Sequence, residues 1–156
     1  FQRARKQGLH VTVHAGEAGP AENVRKALDV GAERIGHGIR SREDPQLLDR
    51  LERESVPLEV CFTSNLQTDA VSSVDDHPIR AFFDRGLSVT VNTDDPAVSQ
   101  TNINNEFRTL SETFDFTTEE CRQLLLNAVD AAFVEKSRKQ TFRRILKDDE
   151  KGERES

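Results

Sequence analysis

The chain has 156 residues, 35% of them hydrophobic and 32% charged, with a formal net charge of −6. That length supports one domain with a sizeable core, no apolar run is long enough to span a membrane, and the negative balance suits a small-molecule site better than a nucleic-acid backbone. Cys61 and Cys121 stand far apart with no CxxC, which signals neither a disulfide framework nor a thiolate metal site and makes a reducing, cytoplasmic compartment the expectation.

Phe1–Gln7 reads as the last turns of a basic helix with Gly8 as its C′ cap, and no methionine occurs anywhere. The N-terminus is therefore read as a cut within a longer protein. His10–His14 is a short strand and Ala15–Gly19 a tight loop. Pro20 then admits a helix over Ala21–Val30, which Gly31 stops. Glu33–Gly36 is a second strand ending at His37. Asp44-Pro45 opens a helix over Gln46–Glu54 with Leu47, Leu48 and Leu51 on one face. Pro57–Phe62 is a third strand, followed by a polar loop, Thr63–Thr68. His77-Pro78 begins a helix through Arg85.

Leu87–Asn92 alternates apolar and polar residues with the period of a strand, then meets Asp94 and Asp95, with Pro96 forbidding further pairing. Two adjacent carboxylates repel each other, so a cation or a hydrogen-bond donor should face them. A polar stretch over Ser99–Asn105 leads to a helix near Glu106–Phe114. Thr117 and Glu120 form a capping box for a helix through about Val134 that buries Leu124, Leu125, Ala128 and Ala132. Residues 1–145 form the folded unit, and 146–156 a charged, disordered tail.

Four strand–helix alternations with short loops predict right-handed βαβ units, a parallel sheet and an α/β fold. Ligands of such sheets sit at the carboxyl ends of the strands. His14, His37, Ser64 or Asn65, and Asp94 all fall there. His14 followed by Glu17 suits a zinc ligand with a nearby general acid, and Gly16 lets backbone approach a ligand. A hydrogen-bonded loop histidine with a helix-start glutamate explains that pair equally well. His37 lies between Gly36 and Gly38, which either frees its ring to reach inward or merely makes a turn. Asp94 suits a metal and Asp95 a substrate hydrogen bond, although Asp-Asp-Pro is also ordinary turn chemistry. His10 and His77 read as structural. No GxGxxG occurs, which excludes a dinucleotide fingerprint.

Taken together, His14-Ala-Gly-Glu17, Gly36-His37-Gly38, Thr63-Ser-Asn65 and Asn92-Thr-Asp94-Asp95-Pro96 resemble the adenosine deaminase family of the metal-dependent amidohydrolases, in the family's order and spacing. The resemblance implies the second half of a (β/α)8 TIM barrel, strands five to eight. It further implies zinc-dependent hydrolytic deamination of a purine 6-amino group. On that resemblance His14 and Asp94 match zinc ligands, and His37 matches the residue that orients the attacking water. Glu17 would protonate N1 of the ring, Asp95 would accept a hydrogen bond at the N7 edge, and Gly16 would lie against the substrate. The family's His-x-His pair, which supplies two more zinc ligands, does not occur in this sequence.

Close relatives with the same motifs act on adenine or on aminodeoxyfutalosine. A half-barrel could also be a non-catalytic binding or assembly module. With two open sheet edges, the isolated chain is expected to self-associate.

Overall fold

The computed structural model describes residues 1–154, with the side chains of Gln2 and of residues 148–154 left aside. Its centre is a sheet of four parallel strands in chain order: β1 (Thr12–Ala15), β2 (Arg34–His37), β3 (Leu58–Val60) and β4 (Val89–Val91). His14 pairs with Gly36, Gly36 with Glu59 and Glu59 with Thr90, so one row crosses all four strands. Consecutive parallel strands with helical crossovers make a partial (β/α)8 barrel, with β1 and β4 at its open edges.

The helices are α1 (Gln2–Lys6), α2 (Ala21–Asp29), α3 (Pro45–Arg53), α4 (Phe62–Gln67), α5 (Ile79–Asp84), α6 (Ile103–Phe114), α7 (Thr118–Ala131) and α8 (Lys136–Arg154). Side-chain caps start α3, α6 and α7. Asp44 caps α3 by accepting from the Leu47 amide, and Arg25 clamps the same carboxylate with two 2.6 Å bonds. Thr117 and Glu120 form the expected capping box on α7. Leu47 and Leu51 of α3 pack with Ile35, Leu58, Ile79 and Val89 in one core, each with no exposed surface. Burying a side chain of that size contributes about 1.5–3 kcal/mol.

Several local expectations are corrected. Thr63–Thr68 is no loop: Phe62–Gln67 forms α4. Helix α6 begins at Ile103, three residues before the expected start, because Asn102 caps it through the Asn105 amide. Thr90 is as buried as its valine neighbours, since β4 is covered on both faces and the half-buried alternation does not apply. Leu125 is exposed, whereas Leu124 is buried. Helix α8 runs on through the charged residues to Arg154, and the last two residues of the chain lie outside the described ones.

Candidate active site

The carboxyl ends of the four strands surround a cavity of about 500 Å³ lined by His14, Gly36, His37, Glu59, Cys61, Asn92, Thr93 and Asp94 among others. His37 ends β2, and Asn92, Thr93 and Asp94 follow the end of β4, whereas His14 and Glu59 face the cavity from within β1 and β3. His37 and Asp94 both take left-handed backbone, with φ of 64° and 58°. That conformation is unfavourable for side-chain-bearing residues and turns each side chain out of the strand direction.

Glu17, His37 and Asp94 come together, each offering a ligand atom within 4.8 Å of the others. His37 Nε2 lies 3.4 Å from Glu17 Oε2 and 4.0 Å from Asp94 Oδ2. Arg40 holds the Glu17 loop by donating to the Glu17 carbonyl, and the Thr68 hydroxyl lies 3.3 Å from the Glu17 carboxylate and 2.9 Å from the Ser64 carbonyl. Gly16 is required on two counts. Its φ is +70°, and a Cβ there would lie 2.6 Å from Val24 Cγ2.

His14 stands at the same mouth, its ring edge-on to His37 with centroids 5.1 Å apart. Gly36, its register partner, leaves room for that ring. A Cβ at position 36 would lie 2.5 Å from His14 Cδ2. Glu59 is tied below by the Thr12 hydroxyl at 2.8 Å and by Arg34 at 3.1 Å.

The donor expected near the paired carboxylates is Ser64, whose hydroxyl reaches Asp94 Oδ2 at 2.7 Å. Asp95 does not join the cluster. It is exposed, and its Oδ1 accepts from the Ala97 and Val98 amides in a turn. Burial pushes His37 below the ordinary imidazole value, with the Glu17 and Asp94 charges opposing that shift. Burial also pushes the Cys61 thiol up to about 12, which keeps it protonated and unreactive.

Two supporting residues carry no signal in the sequence. Glu106, fully buried on α6, accepts from the Thr63 amide and from the Thr63 and Thr101 hydroxyls, holding the first turn of α4. His77, read as structural, hydrogen-bonds to Asn65, which in turn contacts His37.

The family model for adenosine deaminase matches residues 1–148. The chain belongs to the adenosine deaminase family. The adenosine deaminase of Salmonella typhi is 42% identical over 144 residues, covering 92% of this chain and 43% of that protein. Among solved structures, the adenine deaminase of Arthrobacter aurescens superposes with a TM-score of 0.93 at 39% identity, covering 96% of this chain and 46% of that one. A zinc-bound amidohydrolase from Burkholderia ambifaria gives 0.85 at 28% identity, covering 96% and 43%. The chain thus spans less than half the length of these relatives. Among the described residues, no helix is long and apolar enough to cross a membrane.

Proposed function

We propose that this chain supplies strands five to eight of a zinc-dependent deaminase that converts adenosine and water to inosine and ammonia. The observation carrying this reading is the convergence of Glu17, His37 and Asp94 at one strand-end mouth that His14 also lines.

The donor set fits zinc, since one imidazole and one carboxylate that face a polar cavity are ordinary zinc ligands. His14 and Asp94 would hold the ion, together with the family's His-x-His pair, which lies outside this chain. When bound, zinc acts as a Lewis acid that lowers the pKa of water toward neutrality. Glu17 gives a proton to N1 of the purine, which makes C6 electrophilic. His37 orients the attacking water and stabilises the charge that develops as C6 becomes tetrahedral. Asp94 assists in taking the water's proton. The 6-amino group leaves as ammonia.

A second reading, adenine as substrate, is favoured by the close superposition on an adenine deaminase. Under either reading the partner is a small purine, with no nucleic acid and no membrane, and the setting is cytoplasmic. The test is ammonia release by the intact protein that carries this chain, with adenosine and adenine offered in parallel. Failure on both substrates overturns the proposal.

A further inference from the structure

A buried chain of hydrogen bonds runs behind His37, and every link in it has a determined direction. It starts at the Ile79 backbone amide, which can only donate and lies 3.2 Å from His77 Nδ1. His77 is 4% exposed, and burial pulls it down to about 4, so it is neutral at physiological pH and carries a single ring proton. With Nδ1 accepting from Ile79, that proton is on Nε2.

His77 Nε2 lies 3.4 Å from Asn65 Oδ1, and Asn65 Nδ2 lies 3.0 Å from His37 Nδ1. Flipping the Asn65 amide would set its NH2 group against the His77 N–H, two donors face to face. The amide therefore has one orientation, and its NH2 group points at His37. His37 Nδ1 must then accept, which leaves the His37 proton on Nε2, the nitrogen facing Glu17 and Asp94.

We propose that Asn65 and His77 are positioning residues that hold His37 as its Nε2–H tautomer, with the proton directed into the reaction cavity. The proposal rests on the assignment of His37 to the reacting centre. It has a consequence for the metal: a nitrogen that bears a proton cannot ligate, so His37 stays a hydrogen-bond donor and leaves zinc to His14 and Asp94. None of the links is exposed, since Asn65, His77 and His37 are all at most 4% accessible. Water therefore cannot replace a lost partner.

The test uses the intact protein that carries this chain, labelled with nitrogen-15 histidine. Two-bond nitrogen–proton correlations report each ring's tautomer directly. The expected spectrum shows both His37 and His77 as Nε2–H. Phe62 and Phe114 already flank the His77 ring at centroid distances of 5.0 and 6.2 Å, so a His77→Phe variant has apolar neighbours to pack against. It should lose the single His37 tautomer and lower kcat by at least about tenfold with KM held, since a mis-set tautomer impairs proton handling more than binding. His77→Gln should restore both readouts, because its amide again accepts from Ile79 and donates to Asn65.

A wild-type His37 protonated on Nδ1 overturns the proposal. So does a His77→Phe variant whose His37 signals or kcat are unchanged. The wild-type spectrum decides alone if the variant does not fold. Absence of deamination by the wild-type protein would overturn the functional reading, while the spectra would still judge the relay.

Discussion

Ser64 Oγ donates to Asp94 Oδ2 at 2.7 Å, joining residues 30 positions apart in sequence. The bond orients one carboxylate oxygen and leaves the group's remaining lone pairs to the cavity. Outer partners of this kind tune metal ligands, and losing one costs about 10–100-fold in metal affinity. Ser64→Ala in the intact protein should weaken zinc by that order while the far-ultraviolet circular dichroism stays unchanged. Competition against a chromophoric chelator measures the affinity, and wild-type affinity in the variant would refute the role given to Asp94.

Glu17 sits 3.4 Å from His37 and holds no position that a glutamine could not fill. On the proposed roles, Glu17→Gln removes the proton donor without removing a metal ligand. Turnover of adenosine should fall about 10²–10⁴-fold, the usual worth of a positioned acid or base, with zinc content unchanged. A near-normal rate in the variant would show that another group protonates the ring.

Glu106 is fully buried and satisfies three donors at once. Glu106→Ala strands the Thr63 amide and two hydroxyls, and an unsatisfied buried polar group costs about 1–3 kcal/mol. Thermal denaturation should show that loss. Activity should fall further than stability alone explains, because Ser64 and Asn65 are on the helix that Glu106 caps.

The Arg80 guanidinium beside Glu120 holds that carboxyl down to about 2, with the Thr117 amide assisting. Its unfolded value is near 4.5, so between about 4.5 and 2 the unfolded chain takes up a proton that the folded chain refuses. The stabilisation is fully present above pH 4.5 and is lost as pH falls through that window. Glu120→Gln should flatten part of the melting-temperature decline over the same range. The effect should shrink in high salt, since the pair is solvent-screened. An identical acid profile in the variant would count against it.

The isolated chain leaves β1 and β4 as open edges, and exposes Ile103 and Leu125 on one side. Such edges pair with other chains. Light scattering on the 156-residue chain should report self-association, and an ammonia assay no adenosine turnover, because association adds no His-x-His pair. A well-behaved monomer with zinc-dependent turnover would mean that unrecognised ligands complete the site.

The order of strands and helices, the strand-end placement of His14, His37 and Asp94, and the caps at Asp44 and Thr117 were all legible along the chain. Each depends on neighbours within a few residues: β-branched alternation, a proline or glycine at an element boundary, a hydroxyl or carboxylate three positions from an amide. Three of the four short motifs could be read for the same reason, as each is a strand end plus its turn, whereas Thr63–Asn65 lies within α4.

What surrounds those motifs depended on distance in space. Thr63–Gln67 has the composition of a loop and is helical because Glu106, 43 residues away, supplies the cap that its own sequence lacks. His77 looks like an ordinary helix-entry histidine until the fold brings Asn65 between it and His37. Thr90 reads as the exposed side of a strand, yet the sheet is covered on both faces there. Asp95 shares its dipeptide with Asp94, but the left-handed turn at Asp94 sends the two carboxylates to different partners. Local pattern determined where chemistry-bearing residues stand on the backbone. Only packing decided which of them are dehydrated, which way their protons point and which partners hold them, because hydrogen-bond direction and burial are properties of the assembled interior rather than of any segment.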